Sequence, residues 1–472
     1  MESKERKITL IEAICFILLF VGMFLYGSGV LGNKKITMAM TMMFCTVIIA
    51  AYCIFVLRIP WKSLNDSILS AIGKAMPSIL LLMMVGLLSA SWLACGTTPA
   101  MIYYGMKIIS PRIFYLAAFL ICALSSNLSG SSWSTVATFG LAFYGISQGL
   151  GMPPLITIGA VVCGAFIGDK WSPMSDSTNL CAALTNTDVF SLFTYLFPTN
   201  GIATIFTALI YLFLGFKYAD GASDLSAVTQ YATQIKGAFS INPLLFLPII
   251  LIIVLSVMKK PTLPVLVLSV YSSVALGMIF QHRTFSEMLT ALWKGFALET
   301  GDEAFDTLFT GGGMMNTGEC VFIMVIALCM AGIIERSDCM QVIANKLAGL
   351  GRNRVSLVVL GLFTSIFGTF LGATSYTGMI MTTSMYTPMF KKAGMNDLDV
   401  ARVAISGGLI SFLVPWGSSH NLIKANLGVT AAEFGPYAFI LWFVLGLNIL
   451  FAITGWFFKK NDKETENVNV AV

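Results

Sequence analysis

The sequence predicts an all-α polytopic membrane protein built from two structural repeats with re-entrant hairpins and broken helices. Three observations carry that reading. The 472 residues are 57% hydrophobic and only 11% charged, with a mean hydropathy of +0.84. A soluble chain carries about 25% charged residues, so there is too little polar surface here to cover a water-soluble fold. Apolar runs approaching or exceeding the length of a membrane span recur along the chain, and one motif occurs twice at a fixed offset. The 42 glycines and 15 prolines suit packed, interrupted membrane helices. The same figures exclude disorder, collagen and a secreted disulfide scaffold.

The elements follow in order. Lys4, Arg6 and Lys7 precede an apolar run from Ile8 to Leu31. That run exceeds the roughly 7 to 15 residues of a signal-peptide core and has no A-x-A site after it, so it reads as the first span. Further runs cover Thr37–Leu57, Met76–Cys95, Ile113–Ser125, Pro153–Gly168 and Asp188–Phe216. Residues 217–241 are a polar connector between a first membrane repeat, 1–216, and a second, 242–458. The second repeat holds runs at Pro243–Met258, Thr262–Phe280, Glu319–Ile334, Val355–Leu371, Arg402–Trp416 and Phe434–Phe458. The tail 459–472 is polar and expected to be disordered. A net charge of +5 without a basic stripe suits anionic lipid at the membrane rim and not nucleic acid. The ten cysteines form no CxxC pair and read as small buried hydrophobes.

An offset of 242 residues superimposes Gly130, Ser132 and Thr135 on Gly372, Thr374 and Thr377. The same offset places Pro173, Ser177, Asn179 and Leu180 on Pro415, Ser419, Asn421 and Leu422. Duplication with interrupted segments at matching places is the pattern of secondary transporters, whose binding site lies between the repeats. Whether the repeats run parallel or inverted is left open by the loop charges.

The segment from Ser125 to Gly140 has seven serines and threonines by Thr135. In lipid such a stretch either packs helices through small residues or lines a polar cavity. Its recurrence as GATSYTGMIMTTS favours two hairpin tips whose oxygens replace the hydration shell of Na+. The stronger signal is GDKWSPMSDSTNL, which puts Asp169, Lys170 and Asp176 around a helix-breaking proline. A charge at that depth costs about 2.5 to 3.5 kcal/mol, so the carboxylates read as cation or proton sites. The alternative is a surface loop holding an ordinary Asp169–Lys170 pair. The matching VPWGSSHNL has no carboxylate and offers Ser418, Ser419, His420 and Asn421, with Arg402 upstream. His420 reads as a proton site or solute contact, or as a neutral structural group.

At these motifs the chain resembles the NhaC family of sodium/proton antiporters. The resemblance covers most of the chain, and GDKWSPMSDSTNL is its most specific block. It implies a sodium-coupled secondary transporter of the bacterial inner membrane, and kinship with the wider ion-transporter superfamily implies a homodimeric elevator with two hairpins. In the family's antiporters, the helix before the second Pro-Trp carries adjacent glutamate and aspartate. These fall here at Ile405 and Ser406, so proton exchange would rest on Asp169 and Asp176. Other branches exchange malate and lactate or carry amino acids. Arg402, His420 and the hydroxyls of Ser375, Tyr376, Ser418 and Ser419 would suit a carboxylate-bearing solute.

The expected function is therefore sodium-coupled secondary transport by alternating access, with Na+ as coupling ion and no cofactor. The partners are Na+ with H+ or a small organic solute, together with membrane lipid. The expected cation or proton site is Asp169, Asp176, Ser132, Ser134, Thr135, Ser172, Thr178 and Asn179. Thr374, Ser375, Thr377, Arg402, Ser418, Ser419, His420 and Asn421 would form the second-repeat wall. Na+/H+ exchange is the first reading and carriage of an amino acid or small carboxylate the alternative. From another class, a passive channel also fits repeated broken helices. An enzyme finds no nucleophile beside a base and no HExxH spacing.

Overall fold

The computed structural model describes residues 6–27, 38–172, 175–219, 225–258, 260–302, 305–306, 309–348 and 353–458. These residues form an all-helical protein in which seven helices are long and apolar enough to cross a membrane. Two further bent helix pairs, broken by 90° and 59°, raise the count to nine if each is one span.

In the first part, α1 (Leu10–Gly27) and α2 (Met38–Phe55) precede the long α3 (Trp61–Cys95) and short α4 (Thr97–Ile108). Then come α5 (Phe114–Ser129), α6 (Ser132–Gly149), α7 (Pro154–Lys170), α8 (Asp176–Leu184) and α9 (Val189–Ala219). The connector expected at 217–241 holds the end of α9 and a helix of its own, α10 (Leu225–Ala238), followed by α11 (Leu247–Val257), α12 (Thr262–Phe280) and α13 (Phe285–Lys294). The second part runs α14 (Met314–Arg336), α15 (Cys339–Ala348), α16 (Arg354–Gly372), α17 (Ser375–Lys392), α18 (Asp397–Gly408), α19 (Ser418–Leu427), α20 (Ala431–Phe434) and α21 (Phe439–Thr454).

The sequence repeat is also a repeat of elements. From α4 to α15 the starts differ by 339 − 97 = 242 residues, and from α8 to α19 by 418 − 176 = 242. Each repeat has a hairpin, α5–α6 and α16–α17, whose tip is one left-handed residue followed by one extended residue. Gly130 takes the left-handed position in the first tip and Ala373, at φ 57°, in the second. Glycine is indifferent to that conformation, whereas alanine adopts it at some cost. Each repeat then has a helix that stops short, α7 or α18, the latter continued by a 3-10 turn over Leu409–Leu413. A non-helical break and a new short helix follow.

Glycines set the approach of each hairpin to its broken helix. A Cβ on Gly164 or Gly168 of α7 would lie 2.2 Å from the carbonyl of Phe119 or Ala123 on α5. On Gly378 of α17 it would meet the Ser365 carbonyl of α16 at 2.2 Å. Gly168→Ala is therefore expected to push α7 off α5 and lower stability by about 1 to 3 kcal/mol, the usual range for overpacking. Gly446→Ala in α21, where a Cβ meets nothing within 4 Å, should be neutral or stabilising. Thermal unfolding of the two variants in detergent checks the contrast.

Outside the long spans, α13 is fixed by a capping box. Thr284 accepts from the Glu287 amide, and Glu287 accepts from the Thr284 amide at 2.7 Å. That bond and the Thr284 hydroxyl hold the Glu287 carboxyl below its usual range.

Candidate functional site

Each break is tied to its own hairpin by polar contacts that a membrane interior makes obligatory. In the first repeat the Asn127 amide of α5 donates to the Trp171 carbonyl, and the Ser172 hydroxyl donates to the Asn127 carbonyl at 2.7 Å. In the second, Trp416 is fully buried; its indole donates to the Phe370 carbonyl at 2.7 Å and packs edge-on against the Phe370 ring. Pro173 lies outside the described residues.

These ties bring the two tips and two breaks to one cavity of about 570 Å³. Its walls come from the first tip, the α7–α8 break, the second tip, the second break, the α3 turn at Pro77 and Leu81, and the start of α12. Asp169 is at its centre of polar contacts. It accepts from the Ser132 hydroxyl at 3.1 Å and the Ser175 hydroxyl at 2.5 Å, and the Lys170 ammonium lies 3.7 Å away. Ser175 in turn meets the Ser177 hydroxyl at 2.9 Å. Asp176 is the first residue of α8, open to the cavity, with no hydrogen bond or ion pair among the described residues. A carboxylate with two hydroxyl donors, beside a second carboxylate with no partner, can exchange a proton for a hard cation that prefers oxygen.

The structure gathers only part of the expected set. Asp169, Asp176, Ser132, Thr374, Ser375, Ser418 and Ser419 line the cavity. Ser134 and Thr135 turn away: both hydroxyls bond back to the Ser131 carbonyl, and both residues line a separate apolar cavity of about 220 Å³. Ser172, Thr178 and Asn179 serve the break through bonds to the carbonyls of Asn127, Lys170 and Ser175. Thr377 bonds Thr374 and faces a smaller cavity of about 210 Å³ beyond the second tip, shared by Thr374 and Tyr376.

Besides Thr377, three second-repeat residues stand outside the walls. Arg402, expected to meet a solute, is wholly buried in an ion pair with Asp399 at 3.3 Å, beneath the rings of Tyr195 and Phe458. Its guanidinium also donates to the Phe457 carbonyl at 3.1 Å. A guanidinium so far from water needs such a partner, and Asp399 supplies it. His420 is buried and stacked on Phe434. Asn421 is buried and donates to the Trp416 carbonyl at 3.3 Å. Ile405 and Ser406 are buried in α18, where Ser406 accepts from the Asn448 amide at 2.9 Å.

The cavity also includes residues absent from the expected set: Lys170, Ser175, Ser177, Ser411, Lys260 and Thr262. For Ser411 the signal was in the sequence, since the 242-residue offset carries Asp169 onto it (169 + 242 = 411). Lys260 precedes α12, Thr262 is its first residue, and neither belongs to a motif.

The chain is similar to known proteins over most of its length. The model of the Na+/H+ antiporter family matches residues 164–456, which hold both breaks and the second hairpin. A malate-2H+/Na+-lactate antiporter of Bacillus subtilis is 30% identical over 86% of this chain and 88% of its own length. The Na+/H+ antiporter NhaC of Alkalihalophilus pseudofirmus is 29% identical over 87% of this chain and 89% of its own length. Among solved structures, the YdaH transporter of Alcanivorax borkumensis aligns over 94% of this chain and 98% of its own, at 13% identity and a TM-score of 0.41.

Proposed function

The chain belongs to the Na+/H+ antiporter family, and from that premise we propose that Na+ and H+ compete for Asp169 and Asp176 in the large cavity. The protein is a multi-pass, sodium-coupled secondary transporter of the bacterial inner membrane. The observation that supports the site is the convergence of both tips and both breaks on these two carboxylates.

Sodium would take oxygens from Asp169, Asp176 and the neighbouring Ser132 and Ser175 hydroxyls, which already point at Asp169. On release, protons occupy the carboxylates in its place. Alternating access then carries either load, but not both together, from one side to the other. The relative that exchanges malate and lactate supports an organic solute as a second cargo.

The test is reconstitution in liposomes with a pH dye inside and a sodium pulse outside. Saturable internal alkalinisation is expected, reduced at least tenfold by Asp169→Asn. An unchanged response in that variant would remove Asp169 from the cycle. Flux that cannot run uphill on an imposed sodium gradient would instead favour a channel.

A further inference from the structure

The large cavity is chemically divided between the repeats. Residues 242 apart face it from equivalent places: Asp169 answers to Ser411 and Asp176 to Ser418, and all four line its wall. Where the first repeat brings two carboxylates, the second brings two hydroxyls.

The helix ends differ in the same sense. The N-terminus of α6 is capped by Ser131, which accepts from the Ser134 amide at 3.2 Å; α8 has no side-chain cap but carries the acidic Asp176 in its first turn. Exposed amides in the first repeat thus already face a cap or a negative charge. The 18-residue α17 and the 10-residue α19 begin on the cavity wall at Ser375 and Ser418, and no side chain caps either. In α19 the amides of Ser419 and His420 find no acceptor among the described residues. The Ser418 hydroxyl, 5% exposed, also has no hydrogen-bond partner there.

Uncapped N-termini of this kind attract anions, each acting as roughly half a positive charge. The Lys170 ammonium lines the same cavity, 3.7 Å from Asp169. Size points the same way. A water's share of liquid is about 30 Å³, so a cavity of about 570 Å³ has room for far more than one ion. It lies in the usual range of small-molecule sites.

We propose that the second-repeat half of this cavity is a carboxylate subsite. The first turns of α17 and α19, with the Ser418 hydroxyl, take the carboxylate of a small organic acid or amino acid, while sodium occupies the half holding Asp169 and Asp176. The subsite rests on the sodium-coupled reading above and names the class of its second cargo.

The full-length protein in liposomes, under an inward sodium gradient, is offered labelled lactate, malate or alanine, with the pH dye recorded in parallel. Saturable, sodium-dependent uptake of at least one is expected, and the same compound should raise the melting temperature in detergent with sodium present. Ser418→Asp supplies the second repeat with the carboxylate that Asp176 supplies in the first. It should cut uptake at least tenfold and remove the thermal shift. If that variant elutes as aggregate, Ser418→Ala is used, with a several-fold rise in half-saturating concentration expected. Sodium-driven proton movement with no uptake and no thermal shift from any of the three compounds overturns the subsite and leaves the antiport reading standing. Silence in both assays overturns both. Uptake that is unaffected by the Ser418 variants also overturns the subsite.

Discussion

Asp176→Asn is expected to abolish sodium-coupled transport while leaving a folded protein. The carboxylate makes no hydrogen bond or ion pair with any described residue, so its neutral isostere breaks no native contact. Its loss removes a full charge from beside the expected cation position. Two unit charges about 4 Å apart interact by about 4 kcal/mol at the effective dielectric typical of such sites. At about 1.4 kcal/mol per decade, sodium affinity should fall by two to three orders of magnitude. The sodium dependence of liposome transport reads that shift, and monodisperse elution in detergent establishes the fold. A variant with normal sodium dependence would place the cation elsewhere.

The largest effect on stability is expected at the opposite end of α18. Arg402 and Asp399 are both fully buried, and the carboxylate also accepts from the Tyr195 hydroxyl. Arg402→Met strands a fully buried negative charge, which costs about 3 to 5 kcal/mol for a pair of this kind. Little folded protein should be recovered. Asp399→Asn combined with Arg402→Met removes both charges and should restore much of the loss, since buried pairs gain little over apolar replacements. Thermal unfolding of the single and double variants decides. If Arg402→Met unfolds like the wild type and alters only solute preference, the arginine is a solute contact after all.

Arg402 also shows where the sequence stops being legible. An arginine at the start of an apolar run is visible, but its partner three residues back and its aromatic cover from Tyr195, some 200 residues upstream, are products of tertiary packing. The spans were readable because lipid demands long apolar runs: α12 has the bounds the hydropathy set, and α7 and α16 differ only at their ends. The hairpin arms α6 and α17 were harder. Their hydroxyls read as site, whereas a helix turns successive residues to different faces. Ser132 faces Asp169, while Ser134 and Thr135 satisfy themselves on the Ser131 carbonyl. The two carboxylates were legible because their charge was out of place in so apolar a chain.

Lys170 stands beside the two carboxylates in the first repeat's share of the cavity. Two carboxylates against one ammonium leave a single negative charge when the site is empty, and one sodium ion cancels it. Moving a unit charge through the membrane potential is worth about 2.3 kcal/mol per 100 mV. In a carrier cycle that moves these three groups across the field, the sodium-loaded site crosses without net charge and the site returning with a proton on each carboxylate carries one positive charge, so the cell's voltage acts on the proton-loaded step.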